Sequence, residues 1–72
     1  MLVDDHPLWR DTLRKVIERE GVGSVVAEAS DGSEAVELAR ESCPDLIVMD
    51  MALPTMGGAE ATRRIQIGRA HV

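Results

Sequence analysis

The amino-acid sequence predicts an α/β fold, in which crossover helices connect the strands of a parallel sheet. Short apolar segments alternate with amphipathic segments along the chain, and this alternation is typical of parallel sheets. Residues 46–49 are apolar at every position, which favours a strand with both faces buried. A chain of 72 residues forms at most one small domain, so these elements belong to a single sheet.

The first strand–helix unit begins at the first residue. Residues 1–3 are apolar and precede the pair Asp4-Asp5, so we expect them to form a strand. We expect His6 to lie at a helix start, and Pro7 suits the first helical position, where its missing N–H costs nothing. Two glycines end this helix. One face of the helix carries Leu8, Thr12, Leu13, Val16 and Ile17.

Two further units follow the same plan. Residues 24–29 predict the second strand. Asp31, followed three positions later by Glu34, is typical of a helix start, and Pro44 ends that helix. After the third strand, a loop with a proline and two adjacent glycines leads into a helix that begins at Ala59.

Composition and charge exclude several classes of protein. The chain is 44% hydrophobic and 29% charged, which argues against a disordered tail. A net charge of −5 and a single aromatic residue, Trp9, argue against direct binding of nucleic acid. One cysteine excludes an internal disulfide, and no apolar run is long enough to cross a membrane. We therefore expect a cytoplasmic protein.

Acidic residues follow two of the predicted strands. Asp4 and Asp5 come after the first strand and Asp50 after the third, at the edge where open parallel sheets bind ligands. If the two strands are neighbours, about 4.8 Å apart, the three carboxylates meet in one pocket. A single Asp after a strand is commonly a turn or capping residue. The combination favours a site for Mg²⁺ and phosphate, because a hard cation offsets the like charges.

The spacing of several short motifs is specific. They are Val3-Asp4-Asp5-His6-Pro7, Ala29-Ser30-Asp31-Gly32, the stretch from Asp45 to Pro54, and Gly57-Gly58. Together they resemble the receiver domain of bacterial two-component response regulators, from Met1 to about Ile65. The start Asp4-Asp5-His6-Pro7-Leu8 and the stretch from Gly57 to Arg64 are most similar to the subfamily that carries a LuxR-type helix-turn-helix output domain.

The resemblance implies roles for particular residues. Asp50 matches the phosphoacceptor, which takes a phosphoryl group from a phosphohistidine of a sensor histidine kinase. Asp5 matches a direct Mg²⁺ ligand, and Asp4 matches a partner that acts largely through water. With Asp50 as a further ligand, the backbone carbonyl of Ala52 completes the implied metal site. By this resemblance the domain is a phosphoacceptor and not an enzyme.

The fold that the resemblance implies is flavodoxin-like (CheY-like), with strand order 2-1-3-4-5. Residues 1–65 hold strands one to three and the start of helix three, so we expect a partial receiver domain, truncated after these elements. The Ser or Thr and the Lys that the family uses as switch residues lie outside this chain. DNA binding through an output domain and homodimer formation are expected only of the intact parent, and no membrane partner is expected.

The end of the chain departs from the family pattern. We expect residues 66–72 to be a non-family tail, and residues 67–72 match the translation of a common sequencing-library adapter. A frayed helix end is the other interpretation of this segment. Codons 67–72 that differ from the adapter would contradict the first interpretation.

Two alternatives to a working receiver domain stay open. A truncated, non-functional chain without signalling activity would show the same motifs. A Mg²⁺-dependent phosphate-handling α/β enzyme would also end its strands in carboxylates. Against it, the chain lacks the Gly-x-x-x-x-Gly-Lys-[Ser/Thr] loop of nucleotidases. Phosphatases of the haloacid dehalogenase type have a second acid where Ala52 stands.

Overall fold

A computed structural model describes residues 1–70 of the protein. The elements alternate between strand and helix, as the sequence predicts. They are β1 (Leu2–Val3), α1 (Pro7–Arg19), β2 (Glu28–Ala29), α2 (Gly32–Ser42), β3 (Val48–Met49) and α3 (Gly58–Ala70). In the described residues the sheet is parallel with the order β2-β1-β3, which confirms the predicted α/β class and its crossover connections.

The register of the sheet aligns the ends of its strands. Val3 of β1 lies level with Ala29 of β2 and Met49 of β3. The ladder continues one residue further, because the Asp4 N–H donates to the Ala29 carbonyl at 3.0 Å and the Asp50 N–H donates to the Val3 carbonyl at 2.9 Å. Residues 4 and 50 therefore leave the sheet at the same level, on neighbouring strands.

The second and third strands are shorter than predicted, and one expectation about them is wrong. Leu46 and Val48 expose 66% and 43% of their surface, so the segment 46–49 is not buried on both faces. Ile47 and Met49 pack toward α2 and α3, whereas the other face borders an open groove that Trp9 also lines. A uniformly apolar run predicts burial only where both faces are covered.

The core lies between the sheet and the helices α2 and α3. Its buried residues form two adjoining clusters, one against the sheet and one between the two helices. Ala35 and Ala61 are fully buried, and such small side chains let helices approach closely. The first cluster comprises Met1, Val3, Ala29, Ala35 and Leu53, and the second Val36, Ala61 and Ile65.

Helix α1 is amphipathic but buries no residue fully. On the face that the sequence singles out, Leu13 and Ile17 are half-buried, while Leu8 and Val16 expose 80% and 39%. The helix contacts the sheet mainly through β1. The periodicity thus predicts the helix correctly but overstates how much of its apolar face is covered.

Helix α2 begins and ends as the sequence predicts. Asp31 is its N-cap residue and accepts a hydrogen bond from the Ser33 N–H at 3.1 Å. Glu34 reaches back to the Ser30 N–H at 3.1 Å, which satisfies a second donor near the helix start. At the other end, Cys43 adopts a left-handed conformation with φ of 45°, and the helix stops.

Helix α3 begins one residue earlier than predicted and continues without a break to Ala70. Glu60 in its first turn pairs with Arg63 and Arg64, which lowers the pKa of Glu60 to about 2. The proposed boundary after residue 65 stays a prediction, and residues 71 and 72 lie outside the described residues. No helix within residues 1–70 combines the length and apolar character needed to cross a membrane.

Replacing Gly58 with Ala is expected to destabilise the protein. A Cβ atom at this position would lie 2.6 Å from the Asp50 carbonyl oxygen and 2.9 Å from Met51 Cα, and backbone atoms cannot rotate away. We expect a loss of about 2 kcal/mol in the free energy of unfolding, measured by urea denaturation. Gly68→Ala is the matched control. Gly68 lies in the same helix, and a Cβ atom there would meet nothing within 4 Å. Gly68→Ala should therefore raise the free energy of unfolding by about 1 kcal/mol through helix propensity. Equal effects of the two changes would contradict the steric argument.

Candidate functional site

The carboxyl ends of β1 and β3 bring four ionisable side chains together. Asp4, Asp5 and His6 follow β1 and Asp50 follows β3. One ligand atom from each of the four lies within 4.8 Å of the others. We call these residues the strand-end cluster. Its three carboxylates are those that the sequence analysis expects in one pocket, and the parallel register explains why they meet.

Asp4 is the most deeply buried member of the cluster, with 8% of its surface exposed. Its Oδ1 atom accepts hydrogen bonds from the backbone N–H and the ring Nδ1 of His6, both at 2.8 Å. Burial disfavours the charged carboxylate, but the bonds from His6 and the charge of Arg10 hold the pKa of Asp4 below its ordinary value. Asp4 is therefore an ionised residue whose Oδ1 is already engaged within the protein.

The Asp5 carboxylate is the member of the cluster that has an unsatisfied oxygen atom. Its Oδ1 is buried and has no hydrogen-bond partner among the described residues. The Nδ1 atom of His6 lies 3.1 Å away but outside hydrogen-bond geometry. A buried carboxylate oxygen without a partner costs free energy, and a hard cation with oxygen ligands satisfies it. The donor set of the cluster thus fits a divalent cation.

His6 belongs to the site as well as to the helix start. It is the N-cap residue of α1, as expected, yet its side chain makes no capping bond. The ring lies instead against Asp4 and Asp5. The hydrogen bond to Asp4, followed by the charge of Asp5, raises the pKa of His6 above its ordinary value. A protonated His6 offsets part of the negative charge of the cluster.

Asp50 is held by the loop that follows it. Its Oδ1 atom accepts a hydrogen bond from the Ala52 N–H at 3.0 Å. Ala52 is exposed and reaches the cluster through its backbone. Residues 51–57 connect β3 to α3, and we call them the acceptor loop. The position of this loop therefore sets the orientation of the Asp50 carboxylate.

Arg10 supports the chain segment that carries Asp4 and Asp5. Its Nη1 donates to the Asp4 carbonyl at 2.7 Å, and its Nε donates to Oε1 of Glu28 at 3.3 Å. Only 20% of the Arg10 side chain is exposed. These contacts tie α1 to both β1 and β2. The sequence pattern does not indicate this role for Arg10, because a charged residue on the polar face of a helix usually points into solvent.

Asp31 connects the start of α2 to the acceptor loop. While Oδ2 caps the helix through Ser33, Oδ1 accepts hydrogen bonds from the Thr55 N–H at 2.8 Å and the Met56 N–H at 3.2 Å. The bond from Thr55, followed by those from Ser33, holds the pKa of Asp31 far below its ordinary value. The sequence indicates the cap but not the long-range bonds, which span 24 and 25 residues.

The lowered pKa of Asp31 predicts a pH dependence of stability. A carboxylate whose folded pKa is depressed contributes its full stability above its unfolded pKa, about 4. That contribution is lost as the pH falls toward the folded pKa. The unfolding midpoint of the wild type should therefore fall more steeply below about pH 4 than that of Asp31→Asn, as followed by circular dichroism. Asp45→Asn, at an exposed aspartate, should keep the wild-type slope. Parallel curves for all three proteins would contradict the prediction.

A groove beside the cluster contains the one tryptophan of the chain. Trp9 lines it together with Leu13, Val48, Asp4 and Asp50. The indole is about half exposed, and the sequence has neither tyrosine nor phenylalanine. Trp9 fluorescence thus reports on the neighbourhood of Asp4 and Asp50 without interference from other aromatic residues.

The fold and the cluster together define a class of protein. A parallel α/β domain with carboxylates converging at its strand ends has the oxygen ligands that a hard cation prefers, at the edge where such sheets bind ligands. Residues 1–72 match the family described as "Response regulator receiver domain". The chain belongs to this family and is a receiver domain of the two-component response regulators.

Individual relatives support this membership. A crystal structure of a LuxR-family two-component response regulator from Aurantimonas sp. SI85-9A1 matches with a TM-score of 0.92 and 51% identity, over 100% of this chain. The response regulator UvrY of Escherichia coli strain K12 is 44% identical over 72 residues. A protein-glutamate methylesterase/protein-glutamine glutaminase of Pseudomonas fluorescens strain Pf0-1 is 50% identical over 64 residues, or 89% of this chain.

The chain spans only part of each of these proteins. It covers 51% of the Aurantimonas chain, 33% of UvrY and 19% of the methylesterase. The similarity therefore describes the part of each relative that aligns with this chain.

Proposed function

We propose that Asp50 is the phosphoacceptor of this receiver domain and that it works with Mg²⁺. The proposal rests on one observation: the ligand atoms of Asp4, Asp5, His6 and Asp50 converge within 4.8 Å. The buried Oδ1 of Asp5, which has no hydrogen-bond partner within residues 1–70, supports it. Asp5, Asp50 and the Ala52 carbonyl would hold the ion directly, and Asp4 would act through water. These roles are the ones that the family resemblance implies.

The chemistry assigned to the chain is a transfer between two protein side chains. A carboxylate oxygen of Asp50 attacks the phosphorus of a phosphohistidine on a sensor kinase. The new P–O bond forms as the P–N bond breaks, and the imidazole leaves with its electron pair and takes up a proton. When bound at these residues, Mg²⁺ would supply positive charge to offset the charge of the transferring phosphoryl group. The hydrogen bond from Ala52 keeps the Asp50 carboxylate oriented during the attack.

Phosphoryl transfer from acetyl phosphate tests this proposal without knowledge of the kinase. The full chain is incubated with acetyl phosphate and Mg²⁺, and the modified residue is mapped by mass spectrometry. We expect one phosphoryl group on the peptide that contains Asp50, and none when EDTA is present. Modification at another residue, or modification that persists in EDTA, would overturn the assignment.

We further propose that the parent protein regulates transcription and receives its phosphoryl group from a sensor histidine kinase. The similarity to UvrY and to the Aurantimonas LuxR-family regulator, at 44% and 51% identity, supports this proposal. The genomic sequence downstream of codon 65 tests this. A helix-turn-helix output domain is the expected finding, and a methylesterase domain would replace the proposal with an enzyme.

A further inference from the structure

We propose that Asp31 is a positioning residue for the phosphoacceptor, because it holds the acceptor loop against the start of α2. The inference rests on the proposed function, since it concerns how Asp50 and its metal site are oriented. Asp31 lies outside the strand-end cluster and touches none of its side chains through the hydrogen bonds described above. It acts through the backbone of residues 51–57.

The hydrogen bonds of Asp31 divide between two tasks. Oδ2 accepts from the Ser33 N–H at 3.1 Å and from the Ser33 hydroxyl at 2.8 Å, which caps α2. Oδ1 accepts from the Thr55 and Met56 N–H groups at 2.8 and 3.2 Å. A helix cap requires only one side-chain oxygen, and a serine supplies it. The second oxygen of the carboxylate is therefore available for the loop.

Steric contact confirms how closely the loop approaches α2. A Cβ atom on Gly32 would lie 2.3 Å from the Met56 carbonyl oxygen and 3.0 Å from the Met56 carbonyl carbon. Only a glycine leaves room for the loop backbone here. Asp31 thus accepts hydrogen bonds from the N–H groups of the loop, and the absence of a side chain at Gly32 leaves room for the Met56 carbonyl.

The same loop is anchored to the phosphoacceptor at both of its ends. The Ala52 N–H donates to Oδ1 of Asp50 at 3.0 Å. At the far end, the Gly58 N–H donates to the Met51 carbonyl at 3.1 Å, and Gly58 packs against the Asp50 carbonyl. Asp31 holds the middle of a loop whose two ends fix Asp50. Releasing the middle should let Ala52 shift relative to the carboxylate.

The variant Asp31→Ser separates the two tasks. Serine can still cap α2, but it has one side-chain oxygen and cannot also reach Thr55 and Met56. Glu34→Gln is the matched control, because Glu34 bonds to the Ser30 N–H at the same helix start and makes no hydrogen bond to the loop. Mg²⁺ affinity is measured by Trp9 fluorescence in the full chain, and the unfolding midpoint is measured in parallel.

We expect Asp31→Ser to bind Mg²⁺ about tenfold more weakly than the wild type, as is typical when support for metal ligands is removed. Glu34→Gln should keep the wild-type affinity. Gly32→Ala retains the carboxylate but pushes on Met56, so it should also weaken Mg²⁺ binding, and it serves as the second variant if Asp31→Ser does not fold. Wild-type affinity in the folded variants would overturn the inference and leave the proposed function intact. Failure of the wild type itself to bind Mg²⁺ would overturn the proposed function and the inference with it.

Discussion

Replacing Asp50 with Asn is expected to abolish phosphoryl transfer from acetyl phosphate. An amide is not a nucleophile toward phosphorus under these conditions, and no other carboxylate of the cluster follows β3. The same change removes one of three neighbouring negative charges. In EDTA we therefore expect the unfolding midpoint to rise by about 4 °C, which corresponds to relief of roughly 1 kcal/mol of repulsion.

Asp45→Asn is the matched control for this experiment. Asp45 is exposed and precedes β3, so it lies at the amino end of the strand whose carboxyl end carries Asp50. The control should accept a phosphoryl group at the wild-type rate and unfold at the wild-type midpoint. Phosphoryl incorporation that survives in Asp50→Asn would refute the role of Asp50, whatever its stability.

Replacing Asp5 with Ala should weaken Mg²⁺ binding by at least about 100-fold, because even residues that only support metal ligands contribute 10- to 100-fold. Asp5 offers a buried oxygen that no described residue satisfies. Its removal also takes away a cost, so the metal-free protein should unfold at the same or a higher temperature. Titration of Trp9 fluorescence with Mg²⁺ measures the first effect, and calorimetry in EDTA measures the second.

Asp4→Ala provides the contrast to Asp5→Ala. Asp4 is almost fully buried and accepts two hydrogen bonds from His6, so its loss should destabilise the metal-free protein. Opposite effects of the two substitutions on stability would show that adjacent carboxylates serve different purposes. A loss of stability in Asp5→Ala as large as that in Asp4→Ala would contradict our view of Asp5 as a metal ligand.

The sequence places Asp4, Asp5 and Asp50 at strand ends by local rules, and the pairing of β1 with β3 in the structure fulfils the condition for them to meet. A strand that ends in an acid places that acid at the sheet edge, and neighbouring parallel strands end at the same edge. The alternation of elements, the Asp31 cap and the end of α2 before Pro44 are similarly local. Each follows from the conformational preferences of a few consecutive residues.

Other features required the tertiary structure. Exposure of Leu8 and Val48 depends on which surfaces the other elements cover, and periodicity carries no information about that. The ring of His6 forms a hydrogen bond with Asp4 and does not cap α1, because the turn after β1 brings the two side chains together. Hydrogen bonds from Asp31 to Thr55 and Met56 join segments that only the folded chain brings into contact.

The sequence by itself determined the α/β class, the order of elements, the membership of the receiver family and the three carboxylates of the site. Those properties are encoded in short motifs, and local spacing is enough to express them. Only the tertiary structure decided which oxygen lacks a partner among the described residues, how Ala52 bonds to Asp50 and which loop N–H groups Asp31 accepts from. The physical reason is that hydrogen bonds require contact within about 3 Å, and contacts between distant segments exist only once the sheet and helices have packed.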